Sequence, residues 1–480
     1  MSLTRLSTVF LLTFITMACG DGAGPVGQNG DNSAPSLTIL APAADDIEVL
    51  TSETVRFAAI ANDPEDGNLG TAIEWASDLD GVLGSGAEVV ATLTQGVHTV
   101  TASVRDSGGR EASGSRTVRA VPFTWTSVTV GSFHSCAVAH DGRAYCWGLN
   151  EYDGQLGVDS IERLTPTPTP VDGDHRFSSL DAGGAHTCGV LQTGGAMCWG
   201  ATSDEEGILG SGSLDGSRTP TSVQASSAFT NVTGGHQYNC GLDNAGVGYC
   251  WGWNWASTLG IGADPTQVDE ATTPQALDTP ARFERIVAGI SHACALTAAS
   301  EIHCWGSSGS AEIGDGQVRS WATSPMLAAG GPWTAVAPAA GYTAALDEAG
   351  RPWYWGSRTA MTSGGGGDRQ LVPDTLPTED TYTDLVAGGS YVCGLTSDGR
   401  ARCWGSGYSQ TPVPGGTQPA PVDAGGAHRY VQLAVHGAHA CGLTEDGKIF
   451  CWGNGGSGQL GHGSTVVVND DPVEVVTPGG

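Results

Sequence analysis

The chain has 480 residues with 50 acidic and 20 basic side chains, which gives a formal net charge of −30 at pH 7. Such a surface repels phosphate backbones, so the charge argues against nucleic-acid binding. The 73 glycines and 9 phenylalanines favour many tight turns, and no helical periodicity is sustained beyond the first twenty residues.

Residues 1–18 have the pattern of an export signal. Arg5 precedes a largely apolar run, Val9 to Ala18, which is too short to span a bilayer. The run ends Thr-Met-Ala-Cys-Gly, which resembles a bacterial lipobox and implies that Cys19 is lipidated. The alternative is a stray thiol in a removed signal peptide. The resemblance implies an exported protein anchored by lipid to the bacterial outer membrane, on the periplasmic side or at the cell surface.

Two segments precede the cysteine-rich part of the chain. Residues 19–35 are nearly free of apolar side chains and predict a flexible tether. Residues 36–121 show the alternation of apolar and polar side chains that is typical of short strands, and Trp75 is the expected core aromatic. Predicted strands include Val55–Ile60, Ala72–Trp75, Glu88–Leu93 and Val97–Val104. The region resembles bacterial immunoglobulin-like or polycystic-kidney-disease-type modules, notably in Gly96–Asp106, and this implies a β-sandwich.

Two acidic loops in this region are candidates for binding Ca²⁺. One carries Asp63, Glu65 and Asp66, and the other carries Asp78 and Asp80, each followed by a glycine. Ca²⁺ requires six to eight converging oxygens, several of which such carboxylates can supply. Neither loop has the EF-hand pattern, and Asp-Gly is also ordinary turn chemistry, so a solvated turn is the alternative. No other cofactor is predicted.

Twelve of the thirteen cysteines follow one spacing rule. Each pair has nine residues between its members, and Trp-Gly follows the second cysteine: Cys136–Cys146, Cys188–Cys198, Cys240–Cys250, Cys294–Cys304, Cys393–Cys403 and Cys441–Cys451. A seventh copy has Ala344 and Tyr354 at these positions. Successive copies lie 48 to 54 residues apart, so residues 122–480 are predicted to contain seven tandem repeats.

The spacing places each cysteine opposite its mate across a β-hairpin. Opposed residues in an antiparallel pair have α-carbons about 4.5–5.5 Å apart, which a disulfide can bridge. Joint loss at Ala344 and Tyr354 indicates that the thiols act as couples. Zinc binding is the alternative, but one pair of cysteines without a second pair nearby does not make a tetrahedral site. Six disulfides within hairpins are therefore predicted, in an oxidising compartment.

The repeats resemble the regulator-of-chromosome-condensation repeat family. The pattern consists of Gly-x-x-His before a strand, then Trp-Gly, then Gly-Gln-Leu-Gly, as at Gly154–Gly157 and Gly458–Gly461. The resemblance implies an all-β protein, a seven-bladed β-propeller preceded by the immunoglobulin-like β-sandwich. The family archetype exchanges guanine nucleotides on a small GTPase and docks on chromatin. An export signal and strong acidity contradict both uses, so neither is carried over.

Three sets of aromatic and histidine residues in the repeats are candidate functional or core positions. A Tyr or His two residues before each first cysteine position is expected to hydrogen-bond neighbouring blades rather than bind metal: His134, His186, Tyr238, His292, Tyr342, Tyr391 and His439. The Trp-Gly tryptophans are expected in the core: Trp147, Trp199, Trp251, Trp305, Trp355, Trp404 and Trp452. Trp253 and Trp255 form a candidate partner-contact patch, with burial under a loop as the alternative.

Two further segments carry structural predictions. The alternating Thr-Pro run Thr165–Pro170 is interpreted as an extended spacer loop. The C-terminal stretch Asp471–Val476 is predicted to pair into the blade begun by Phe123 to Val130 and so to close the ring.

No catalytic motif is found, and the leading hypothesis is a monomeric, membrane-anchored lipoprotein that binds an unknown protein or glycan through its propeller. The segments after each Trp-Gly vary from acidic, as at Asp204–Glu206, to aromatic. The alternatives are a glycan hydrolase or lyase with an acidic cleft at the propeller mouth, and an extracellular protein inhibitor.

Overall fold

The structure, a computed structural model, describes residues 32–150, 154–160, 162–201, 207–358, 369–389, 391–405 and 418–478. The expected signal peptide, Cys19, most of the tether and the acidic segment Asp204–Glu206 lie outside these residues. The chain divides into two compact units between Val121 and Pro122. Among the described residues there is no helix with the length and hydrophobicity needed to cross a membrane.

The first unit consists of two sheets. One has the order β1-β3-β4 with β7 also paired to β3, and the other has the order β2-β9-β8-β5-β6. The elements are β1 Ser36–Ala41, β2 Ile47–Leu50, β3 Val55–Asp63, β4 Gly67–Asn68, a 3₁₀ turn Gly70–Ala72, β5 Glu74–Ser77, β6 Gly81–Ser85, β7 Glu88–Ala91, β8 Gly96–Arg105 and β9 Glu111–Val121. The strand predicted at Ala72–Trp75 is wrong in its first residues, because the 3₁₀ turn ends at Ala72 and β5 begins only at Glu74.

Both sheets contribute to one hydrophobic core. Phe57 of β3 and Trp75 of β5 are fully buried there, with ring centroids 5.6 Å apart. The Trp75 indole N–H donates to the Gly86 carbonyl at 3.0 Å, which satisfies its one polar group. The prediction that Trp75 is the core aromatic is confirmed.

In the described part of the second unit, seven four-stranded antiparallel sheets follow in chain order, one per repeat. This is an all-β, propeller-like arrangement of repeated four-stranded sheets. The first three sheets comprise β10 Trp125–Val130, β11 His134–Ala139, β12 Ala144–Leu149, β13 Leu164–Pro170; β14 Phe177–Ala182, β15 His186–Leu191, β16 Ala196–Gly200, β17 Ser217–Ser222; β18 Phe229–Gly234, β19 Tyr238–Asp243, β20 Gly248–Trp253 and β21 Glu270–Ala276.

The remaining four sheets repeat the same strand order. Their strands are β22 Phe283–Ala288, β23 His292–Thr297, β24 Ile302–Ser307, β25 Trp321–Leu327; β26 Trp333–Ala339, β27 Tyr342–Asp347, β28 Pro352–Ser357, β29 Arg369–Thr375; β30 Tyr382–Gly388, β31 Tyr391–Thr396, β32 Ala401–Gly405, β33 Gln418–Ala424; β34 Tyr430–His436, β35 His439–Thr444, β36 Ile449–Gly455 and β37 Val466–Glu474.

The second and third strands of each repeat form the hairpin that the cysteine spacing predicts. In the first repeat Cys136 lies directly opposite Cys146. The loop needs a left-handed residue, which Gly142 supplies with φ of 83°. The six bonded pairs join cysteines ten positions apart, with α-carbons 4.0–4.1 Å from each other. The disulfides indicate an oxidising compartment.

The seven Trp-Gly tryptophans are buried between successive sheets, as predicted. Each is at most 1% exposed. Trp199 of the second repeat, for example, packs with Val138 and Leu156 of the first. Trp147 of the first repeat packs with Leu443 and Ile449 of the seventh, so the first and last sheets share a core.

Two predictions about outer strands are wrong. The Thr-Pro run forms β13, the outer strand of the first sheet, where proline is tolerated because one edge needs no donors. The C-terminal stretch does not pair into the sheet begun by Phe123 to Val130. Instead β37 pairs with β36 of its own repeat, with Val473 opposite Cys451. The first and seventh sheets therefore do not share a strand, and they meet through side-chain packing and hydrogen bonds such as that from the Trp125 amide to the Gly447 carbonyl at 2.8 Å.

Candidate functional site

The His and Tyr positions before the first cysteine link each repeat to the next. His134 Nε2 lies 2.9 Å from Thr187 Oγ1, and His186 Nε2 lies 2.9 Å from Asn239 Oδ1. The remaining links with a partner are Tyr238 to the His292 carbonyl, His292 to Thr343, Tyr391 to the His439 carbonyl and His439 to Ser135. Tyr342 Oη has no partner in the described residues. The predicted inter-blade hydrogen bond is confirmed at six of seven positions.

The Gly-Gln-Leu-Gly segments supply acceptors for the same interface. The Gln155 carbonyl accepts from Thr187 Oγ1 at 3.1 Å and from Trp199 Nε1 at 3.0 Å. The Gln459 carbonyl accepts likewise from Ser135 and Trp147, at 3.0 and 2.9 Å. These motif residues therefore hold neighbouring repeats together.

Burial keeps the linking histidines neutral. It lowers the pKa of His134 to about 3 and the pKa values of His186 and His292 to about 4. Below pH 6.5 the unfolded chain takes up protons that these buried rings do not, so the unfolded state binds more protons. The free energy of unfolding is therefore expected to fall as the pH drops from about 6.5 to about 4.

We expect His186→Tyr to remove up to about one proton from this pH dependence, because three other repeats carry non-ionising Tyr at that position. Urea unfolding between pH 4.5 and 7.5 measures the slope, and the half-buried His175→Gln is the control. A slope that His186→Tyr leaves unchanged would contradict a buried, neutral His186.

The first strands of all seven repeats line a cavity of about 330 Å³. The side chain of Asp181 on β14 is half-buried in this wall, and desolvation raises the pKa of Asp181 above its ordinary value. Its Oδ1 accepts from Thr129 Oγ1 at 2.8 Å, and its Oδ2 accepts from the Gly234 amide at 2.9 Å. Asp181 thus joins the first three repeats, and both its oxygens are already used.

An ion pair spans the same cavity. Arg285 Nη1 on β22 lies 2.8 Å from Asp384 Oδ1 on β30. The pair reaches across the fifth repeat, where Ala337 and Pro338 line the wall. His436 lines the wall as well, and burial lowers its pKa to about 4. The charged side chains of the wall thus bond to other groups of the protein. Among the described lining residues there is no pair of carboxylates without such partners.

Trp253 and Trp255 lie in the segment after the third Trp-Gly. Trp255 is 39% exposed and Trp253 is half-buried, with ring centroids 5.9 Å apart. Between them Asn254 is fully buried, and its Nδ2 donates to the Val268 carbonyl at 2.7 Å. Asn254 Oδ1 accepts from the Leu259 amide at 3.1 Å. The buried amide therefore fixes the segment that presents the two indoles.

The acidic loops of the first unit use their carboxylates as turn acceptors. Asp63 Oδ1 accepts from the amides of Glu65 and Asp66 at 2.9 and 2.8 Å. Asp80 accepts from the Thr94 amide, and Asp78 accepts from the Thr99 amide. Glu65 accepts from Ser33, and Asp66 accepts from Ser107. In the described residues these carboxylates form no group that would hold a metal ion.

Sequence reasoning missed the residues of the central cavity. Arg285 and Asp384 both lie nine residues before the first cysteine position of their repeats. Alignment of the repeats on the cysteines would have placed these opposite charges at one level. In the first unit it also missed His98, which is fully buried with Nδ1 2.7 Å from Ser77 Oγ.

Comparison with known proteins agrees with the repeat architecture. Two profiles of the Regulator of chromosome condensation (RCC1) repeat match the chain, one at residues 125–155, 382–410 and 431–459, the other at 141–190 and 446–480. The chain contains RCC1 repeats. The structure of human WBSCR16 superposes with a TM-score of 0.62 at 19% identity, and the match covers 70% of this chain and 94% of that one. This likeness shows the fold alone.

Two curated relatives match parts of the chain. The Ultraviolet-B receptor UVR8 of Arabidopsis thaliana is 28% identical over 194 residues, 40% of this chain and 43% of that protein. Protein pim1 of Schizosaccharomyces pombe is 27% identical over 320 residues, 58% of each. The chain thus spans less than two thirds of the length of either relative.

Proposed function

We propose that this protein is an exported, lipid-anchored binding protein. In this proposal lipid on Cys19 holds the chain at the membrane, residues 19–35 act as a tether, and residues 36–121 form an immunoglobulin-like spacer. Residues 122–480 form a seven-bladed propeller that binds a macromolecular partner, a protein or a glycan, through its variable segments. The six disulfides and the export pattern support the compartment.

One observation carries the binding role, namely the aromatic pair Trp253 and Trp255. The exposure of an apolar indole ring to water is unfavourable, and tryptophan is enriched at binding hot spots. Their segment is held by the buried Asn254 amide, so little conformational entropy is lost when a partner binds. The repeat core is uniform, whereas the segments after Trp-Gly differ, and recognition on rigid scaffolds is usually built in such loops.

The expected result is that the double variant Trp253→Ala/Trp255→Ala loses capture of the envelope partner by about tenfold or more, while keeping the melting temperature of the parent. The purified ectodomain is immobilised, exposed to envelope extract and isolated glycans, and bound material is identified and titrated. Exposed Leu214→Ala, in the corresponding segment of the second repeat, is the control.

A screen for hydrolase and lyase activity, run beside the binding assay, tests the enzyme alternative. Turnover that is abolished by Asp181→Asn or Asp384→Asn would sink the proposal, because those residues line the central cavity. Equal capture by the parent and by the double tryptophan variant would remove the pair from the interface.

A further inference from the structure

The fifth repeat contains a second cavity, of about 520 Å³, apart from the central one. Its apolar lining includes Trp333, Trp353, Pro332, Val372 and Pro373. The Trp333 and Trp353 rings meet edge to face, with centroids 5.8 Å apart. A concave site of this size, mostly apolar with two aromatic rings and a few charged groups, has the composition of a ligand pocket.

At this cavity the fifth repeat lacks one side chain that the other repeats have. Gly331 lies thirteen residues before the first cysteine position of its repeat, whereas the other repeats carry a side chain there: Phe123, His175, Ser227, Ala281, Asp380 and His428. In three repeats that side chain contacts the residue equivalent to Trp353. The ring centroids of Phe123 and Tyr145 lie 5.9 Å apart, and those of His428 and Phe450 lie 3.7 Å apart. In the sixth repeat Arg402 Nη1 donates to Asp380 Oδ2 at 2.6 Å.

The seventh repeat shows what kind of group fits this position. There the His428 ring stacks on Phe450, with an interplanar angle of 23°. In the fifth repeat the preceding residue is also a glycine, Gly330, and both have positive φ, 82° and 105°. Neither glycine supplies a planar group at this position, and a Cβ placed on Gly331 would lie 3.2 Å from Trp333 Cδ1 and Nε1.

The rim of the cavity carries one uncommitted negative charge. Asp347 Oδ2 accepts from Arg351 and from Trp353 Nε1, at 2.8 and 3.2 Å, so the Asp347 carboxylate and the Arg351 guanidinium neutralise each other. Glu348 lines the cavity, is exposed, and forms no hydrogen bond or ion pair within the described residues. A planar cation over Trp353 would have Glu348 as its counter-ion.

We propose that this cavity binds an arginine side chain presented by a protein partner. The guanidinium is planar, stacks on aromatic faces and pairs with carboxylates, and so matches Trp353 and Glu348 together. The net charge of −30 attracts a basic partner over longer distances. This site lies in a different repeat from Trp253 and Trp255, and it stands whether or not that pair contacts a partner.

The test compares three short peptides, acetyl-Gly-X-Gly-amide with X as arginine, citrulline or lysine. Binding to the oxidised full-length chain is followed by tryptophan fluorescence and by saturation-transfer NMR. We expect the arginine peptide to bind about tenfold more tightly than the citrulline peptide, which has the same shape without the charge. Equal binding of arginine and citrulline, or no binding of arginine, would overturn the proposal.

Variants assign the binding to the cavity. Glu348→Gln should weaken the arginine peptide about threefold and leave the citrulline peptide unaffected. Trp353→Met, which copies Met197 of the second repeat, should abolish stacking while a repeat-compatible side chain remains. Glu445→Gln, at the same hairpin position of the seventh repeat, is the matched control. A Glu445→Gln effect equal to that of Glu348→Gln would indicate nonspecific charge attraction and reject the site.

Discussion

Reduction of the six disulfides is expected to unfold the repeat region under conditions in which the oxidised protein is stable. Each bond closes a loop of about ten residues, and the chain-entropy relation gives about 2–3 kcal/mol for a loop of that size. The six loops lie in separate hairpins and share no residues, so their contributions should nearly add. The sum, about 12–18 kcal/mol, reaches or exceeds the upper part of the net stability of about 5–15 kcal/mol that is typical of folded proteins.

The experiment is urea unfolding, followed by tryptophan fluorescence, of the oxidised protein and of protein reduced and alkylated before refolding. Removal of one disulfide by the double substitution Cys240→Ala/Cys250→Ala should lower the free energy of unfolding by about 2–3 kcal/mol. The fifth repeat provides the precedent, because it keeps its hairpin register without a disulfide, with Ala344 opposite Tyr354. Non-reducing peptide mapping checks the pairing itself. Free thiols in the oxidised protein, or links between hairpins, would contradict the register.

The repeats and their hairpins could be predicted because the signals are local and occur seven times. The distance from Cys136 to Cys146 and the glycine at Gly142 fix one hairpin, and the same offsets recur along the chain. The buried Trp of each Trp-Gly follows from the same alignment. Agreement between registers is what makes such a periodic signal strong.

The outer strands could not be predicted in the same way. The prolines of the Thr-Pro run argue against a strand, and the run becomes β13 because the third strand β12 offers it an open edge. The C-terminal stretch has one valine-rich pattern that suits two edges equally, that of the first repeat or that of the seventh. Local sequence does not decide between edges that only the folded sheets create.

The candidate site also has features that the sequence predicts and features that only the folded structure shows. The repeated His and Tyr positions were correctly expected to link neighbours, since one hydrogen bond recurs in six repeats. Arg285 and Asp384 pair across the fifth repeat at 2.8 Å, which depends on curvature that brings distant strands together. The cavity over Trp353 depends on a missing side chain, and an absence at Gly331 is visible only once the neighbouring repeats show what normally fills the position.

Removal of residues 471–480 is expected to destabilise the seventh repeat strongly. The C-terminal part of β37 and the residues after it complete the last sheet: the Val475 amide donates to the Ile449 carbonyl at 2.9 Å, and the Val475 side chain is 2% exposed. Val475 belongs to the core that Trp125 of the first repeat shares with Ile449 of the seventh. Truncation therefore weakens both the sheet and the contact between the first and last repeats.

Point variants separate these two effects from simple loss of chain. Val475→Ala should cost about 2 kcal/mol in the free energy of unfolding, because most of a buried valine side chain is removed. Its neighbour Val476 is 38% exposed, so Val476→Ala should cost less than about 0.5 kcal/mol. Equal effects of the two substitutions would show that the burial of Val475 does not stabilise the fold.

Hydrogen exchange then decides which sheet the C-terminal stretch completes. If it pairs with β36, truncation should speed amide exchange chiefly at Phe450 and Cys451, which lie opposite the deleted Glu474 and Val473. If it instead closed the sheet of the first repeat, exchange would rise in Trp125–Val130. The first strand of that sheet already pairs with β11 along one edge, and it packs against the seventh repeat and hydrogen-bonds to it. Since the first and seventh repeats do not share a sheet, the loss of protection should begin in the seventh repeat. It should reach Trp125 only secondarily, through the shared core and the hydrogen bond from the Trp125 amide to the Gly447 carbonyl.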